Sequence, residues 1–133
     1  MNSLEFEPGM FPDATALVED LHARGFRLAA WSTPYLPEDD PAFPAAEAAD
    51  YFPDGPLVFQ NFGKLLDLTD PAAMAFWQDR VSAAIERGIE GFKLDYAEDV
   101  QLGLSRSRLR LDFDSGEDER TMHHQYATYY HRA

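Results

Sequence analysis

Cysteine is absent from the 133 residues, which removes disulfides, a thiolate nucleophile and any cysteine-based metal site. Basic residues are scarce: 11 Lys and Arg stand against 24 Asp and Glu, for a formal charge of −13. That balance repels nucleic-acid phosphates and anionic lipid, so neither nucleic acid nor membrane is expected as a partner. No run of about 18 apolar residues is present to span a bilayer. The start, Met1-Asn2-Ser3-Leu4-Glu5, lacks the basic and apolar regions of a secretory signal. A soluble chain is the expectation, cytoplasmic rather than exported. Glycine-rich phosphate loops are missing too: neither G-x-G-x-x-G nor G-x-x-x-x-G-K-S/T occurs, and no G-x-S-x-G elbow supports a serine hydrolase.

The chain does contain enough apolar material for a core, 45% apolar with 14% aromatic, over the length of one domain. Two helix-then-strand units stand out. In the first, Asp13 is a natural N-cap, Leu17, Val18 and Leu21 form an apolar stripe, Gly25 supplies the stop, and Phe26 to Trp31 reads as a strand. In the second, Asp70 caps a helix with Pro71 at its first position, and Met74, Trp77, Val81, Ala84 and Ile85 fall at helical spacing. Gly88 ends that helix, and Ile89 to Asp95 reads as a strand. Helices alternating with nearly continuous apolar strands predict an α/β fold with parallel strands and flanking helices.

Between the units, six of the nine prolines fall in residues 34 to 56, which argues against a regular helix or central strand there. A long loop over about 34–64 is expected, following a strand end, where α/β folds place ligand sites. Its aromatics Tyr35, Phe43, Tyr51, Phe52, Phe59 and Phe62 suit either a substrate-lining role or simple anchoring of the loop. Further on, Arg106, Arg108 and Arg110 alternate with Ser107, Leu109 and Leu111 as in a half-buried strand, and "DFDSGEDE" reads as a turn. A last helix from about Glu117 carries Met122, Tyr126, Tyr129, Tyr130 and Ala133 on one side.

The stretch with most chemistry is "GFKLDYAED", residues 91 to 99. Alternation on a strand sends Phe92 and Leu94 one way and Lys93 and Asp95 the other, roughly 7 Å apart along the chain. Two charges on one sheet face fit the interior rim of a barrel better than a doubly wound sheet with both faces covered. The Lys93 ammonium would favour an ionised Asp95, as a carboxylate nucleophile needs and a general acid does not. A structural ion pair ending the strand accounts for the same two residues. Glu98 and Asp99 would orient the loop, cap the next element or face solvent. With Asp95 they could supply oxygen ligands to magnesium, although the spacing matches no calcium loop. His123, His124 and His131 lack the spacing of a zinc site, so no metal is expected, and His22 is expected to be solvated.

Four segments in order resemble family 31 glycoside hydrolases: "FPDATALVEDLHARGFRLAAWSTPYL", "LLDLTDPAAMAFW", "GFKLDYAED" and "ERTMHHQYATYYHRA". The resemblance covers about residues 6 to 133. It implies a partial (β/α)8 TIM barrel, roughly half of the usual ~250 residues, with residues 1–133 a fragment of the catalytic domain. It also implies retaining hydrolysis of α-glycosides, α-glucosides or related sugars, with no cofactor. By position, Asp95 matches the family's nucleophile, Lys93 the lysine beside it and Trp31 the pocket tryptophan, with Glu98 as a supporting residue. The family's acid/base carboxylate would lie beyond Ala133 and its sugar-hydroxyl aspartate before Met1, so the isolated chain is expected to be inactive. Tyr96-Ala97 stands where the family commonly has Phe-Gly. A non-catalytic carbohydrate-binding module derived from the barrel is the alternative. An open half-barrel leaves strand edges unpaired, so self-association through those edges is expected.

Overall fold

The computed structural model describes residues 4–55, 62–97, 100 and 110–133. Helix α1 (Ala14–Ala23) begins where Asp13 accepts the Ala16 amide, and the chain turns out of it through Gly25 at φ 83°. Strand β1 (Ala29–Ser32) follows, then β2 (Tyr35–Leu36), α2 (Phe43–Ala48), β3 (Lys64–Leu65), α3 (Pro71–Glu86), β4 (Gly91–Leu94) and α4 (Glu119–Arg132). The expected helix-then-strand pairs are α1–β1 and α3–β4. Asp70 accepts the Ala72 and Ala73 amides with Pro71 in the first turn, and Asp118 does the same for Arg120 and Thr121 at the head of α4.

Strands β1 and β4 pair in parallel, Ala29 opposite Gly91 through Ser32 opposite Leu94, so the described residues form the α/β arrangement expected, with no closed barrel among them. The first strand is shorter than Phe26–Trp31: pairing begins only at Ala29, and Phe26 is left 59% exposed. Leu94 is likewise exposed, at 40%.

The proline-rich stretch requires one correction. Its helix α2 holds Pro44 in the first turn, the position where a missing amide costs nothing, so a short helix survives there. Strand β2 then pairs antiparallel with β3. Gly63 makes that pairing close: it sits at φ 117°, and a Cβ there would lie 2.0 Å from the Leu36 carbonyl oxygen. Lys64 spans the aromatic pair Phe43 and Phe52, 5.3 and 5.0 Å from their centroids, while bonding Glu47 at 2.6 Å. Asp40, after β2, meets Arg80 on α3 at 2.5 Å, and both side chains are largely withdrawn from water.

The core is built where α3, α4 and the β2–β3 segment meet, with Trp77, Tyr126, Tyr130, Tyr35, Leu66 and Met122 all nearly inaccessible. The loop aromatics Tyr35 and Phe43 belong to this core, and Tyr51, Phe52 and Phe62 pack against it, whereas Phe59 lies outside the described residues. Of the alternating arginine strand expected over Arg106 to Leu111, residues 106–109 also lie outside them, and Arg110 and Leu111 form no strand. The "DFDSGEDE" turn forms as expected: the Gly116 amide donates to Phe113 O at 2.8 Å and the Phe113 amide to Glu117 O at 3.0 Å. Asp67 anchors this turn, its Oδ2 accepting the Asp114 amide at 2.7 Å while Oδ1 accepts Thr69 N–H and O–H.

Candidate active site

The paired strands end side by side, and their last residues carry the chemistry. Register sets Trp31 directly opposite Lys93. One residue further, the Asp95 amide donates to Ser32 O at 3.0 Å, so the parallel ladder continues one bond past β4 and fixes the backbone of Asp95. Its side chain receives two donors from the two strands: Trp31 Nε1–H at 2.8 Å and Lys93 Nζ at 2.5 Å, both on Oδ2. The three residues named from the sequence are thus brought together, and Glu98 lies outside the described residues.

The electrostatics follow from the donors. The Lys93 hydrogen bond first and the Trp31 hydrogen bond second hold the Asp95 carboxyl below its ordinary value of 3.8, against a smaller opposing effect of desolvation. The charge of Lys93 and the Tyr96 backbone amide act in the same direction. Asp95 remains reachable at 29% side-chain exposure, with Lys93 more open at 69%. An ionised, partly open carboxylate with one oxygen engaged by two donors can act as a nucleophile or stabilise a developing cation; it is poorly suited to giving up a proton.

Aromatic rings wall this group. Trp31 meets Phe62 edge-on at 5.3 Å and Tyr96 at 6.2 Å, while Phe62 and Tyr96 lie 4.7 Å apart. Tyr96 sits at φ 61°, a left-handed backbone rare for a bulky side chain, immediately after Asp95. Sequence reading missed Tyr96 as part of the site, its only signal being the departure from Phe-Gly. Among the described loop aromatics, Phe62 is the one whose ring meets both Trp31 and Tyr96.

Behind the strands lies a second polar contact that sequence reading also missed. Ser32 Oγ accepts Tyr130 O–H at 2.8 Å, both residues being buried. Burial, and after it the negative charge of Asp95, pushes the Tyr130 hydroxyl up to about 12, against the lowering effect of its bond to Ser32. Tyr126 uses a backbone partner instead, donating to Leu66 O at 2.6 Å.

Among the described residues, no group of three or more His, Asp or Glu is placed to hold a metal ion. The rings of His123 and His124 lie 4.9 Å apart on α4. His22 is exposed, as expected, and contacts Glu90 at 3.2 Å, which links α1 to the residue before β4. No helix among the described residues is long and apolar enough to cross a membrane.

Comparison with known proteins gives this site a context. The alpha-xylosidase XylQ of Lactiplantibacillus pentosus is 27% identical over 98% of this chain and 17% of its own length. An alpha-xylosidase of Emericella nidulans is 30% identical over 96% of the chain and 16% of its own length. The chain therefore spans about one sixth of the curated relatives it matches. Among solved structures, a GH31 family sulfoquinovosidase from E. rectale in complex with an aza-sugar inhibitor superposes with a TM-score of 0.80, at 21% identity, over 96% of this chain and 19% of that one. The description "Glycosyl hydrolases family 31 TIM-barrel domain" matches residues 1–133 throughout, and the chain belongs to that family.

Proposed function

We propose that the chain carries the nucleophile side of a retaining α-glycosidase site, with Asp95 as the attacking carboxylate. The observation that carries this reading is the convergence of Trp31 Nε1 and Lys93 Nζ on Asp95 Oδ2. It keeps the group ionised, and engagement of Oδ2 favours Oδ1 as the attacking atom. In the first step Oδ1 forms a bond to the anomeric carbon as the glycosidic C–O bond breaks, and its electron pair leaves with the aglycone oxygen. A second carboxyl group, roughly 5 Å away in retaining enzymes, protonates that oxygen and then deprotonates the water that releases the sugar. The chain spans about one sixth of the relatives it matches, and in this reading the second group comes from the rest of such a barrel.

Lys93 and Trp31 would line the sugar pocket while holding Asp95. The alpha-xylosidases among the relatives support an α-xyloside or a related α-glycoside as substrate. An activated sugar with a leaving group that needs no proton isolates the attack step. Mixing the chain with α-xylosyl fluoride should release up to one equivalent of fluoride per chain and then stall, because the glycosyl-enzyme lacks its base. Asp95→Asn should release none. Equal fluoride release from both proteins would refute the assignment. If the chain binds xylose in calorimetry yet shows no burst, the carbohydrate-binding module is the better description.

A further inference from the structure

Tyr130 is a buried titratable group that the attack step does not use. A buried tyrosine needs a hydrogen-bond partner, and a backbone carbonyl satisfies that need, as Leu66 O does for Tyr126. Tyr130 differs in its choice. It reaches from α4 across 98 positions of sequence to a side-chain hydroxyl on the last residue of β1, at 2.8 Å. That residue, Ser32, also accepts the Asp95 amide on its carbonyl at 3.0 Å, and it directly follows Trp31, whose indole holds the Asp95 carboxylate at 2.8 Å. Ser32 is therefore one covalent step from one partner of the contact and one hydrogen bond from the other.

We propose that Tyr130 is a positioning residue, whose hydroxyl grips Ser32 and so fixes the end of β1 against the end of β4 at the spacing where Trp31 Nε1 meets Asp95. The hydroxyl never touches substrate; it acts through Ser32 on the geometry of a contact two residues wide. Because burial first and the Asp95 charge after it keep the hydroxyl protonated to about 12, the tether is a donor across the neutral range, in which Asp95 is ionised. For its consequence in catalysis the inference rests on the reading of Asp95 as nucleophile, whereas the tether itself stands on geometry alone.

The chain has two tryptophans, so 15N-labelled protein gives two indole signals, one from Trp31 at the site and one from Trp77. Trp77 packs on the Tyr130 ring at 6.0 Å and serves as the control for packing. Tyr130→Phe keeps the ring and removes only the hydroxyl. The expected result is a shifted Trp31 Nε1–H signal whose exchange with water is about tenfold faster, as suits loss of one hydrogen bond's support, with Trp77 unmoved. Ser32→Ala should reproduce the change, and the double variant should add nothing to either single one. An unmoved Trp31 signal, equal movement of both indoles, or additive effects would overturn the proposal in favour of packing alone. Should Tyr130→Phe lose its folded spectrum, folded Ser32→Ala with an unmoved Trp31 overturns it equally. In parallel, Tyr130→Phe should slow fluoride release from α-xylosyl fluoride about tenfold. If the indole changes appear but the wild-type chain releases no fluoride, the nucleophile reading fails and the tether survives.

Discussion

At the scale of single residues, the state of Asp95 depends chiefly on Lys93. Lys93→Met should bring the Asp95 pKa up toward 3.8, and Trp31→Phe should raise it less, since the lysine bond is the larger of the two influences. Titration of the 13C carboxyl resonance checks both, and a larger shift from Trp31→Phe would reverse the ranking. Asp95 has a lower pKa folded than unfolded, so its contribution to stability is complete above the unfolded value and is lost as pH falls through the folded one. Lys93→Met should therefore weaken the dependence of stability on pH below about pH 4, which denaturant titrations across that range would read. Strand alternation made the shared face of Lys93 and Asp95 legible in the sequence, whereas Trp31 was named only through the family resemblance, and its place opposite Lys93 needed the strand pairing. Tyr96 and the Tyr130–Ser32 bond were not legible. A positive φ at a tyrosine leaves no pattern in composition, and a contact over 98 positions needs the tertiary arrangement first.

At the scale of elements, the helices read well because their ends are chemically marked. Asp70 offers both carboxylate oxygens to the first amides of α3, so Asp70→Ala should cost about 1 kcal/mol in urea unfolding. The Asp40–Arg80 pair is a stronger case. Asp40 is 3% exposed in its side chain, and its removal would take an ion-pair partner from a guanidinium that is itself only 15% exposed, so Asp40→Ala should cost about 3 kcal/mol. A loss under 1 kcal/mol would show that water reaches Arg80 once the pair is broken. The α2 helix was hidden for the opposite reason: prolines mask a helix when they fall in its first turn, where only the local hydrogen-bond count, and not the residue type, decides. Strand β1 was overextended from sequence because Phe26 continues the apolar run, yet a strand needs a partner and β4 supplies one only from Gly91 onward.

At the scale of the whole molecule, the α/β class followed from two capped helix-strand units, and their parallel pairing follows from the long connection between them. Leu94 is 40% and Phe26 59% exposed, beside a sheet that has two strands and open outer edges among the described residues. The isolated chain should accordingly self-associate, with a sedimentation coefficient that rises over micromolar concentrations, and a strictly monomeric profile would contradict this. We propose, more narrowly, that the carboxylate held by Lys93 and Trp31 is the one that bonds to the sugar. The direct measurement is peptide mass mapping after exposure to 5-fluoro-α-xylosyl fluoride, whose glycosyl-enzyme turns over slowly. A single 5-fluoropentosyl adduct on Asp95, absent from Asp95→Asn, is the predicted result; an adduct on any other residue would contradict it.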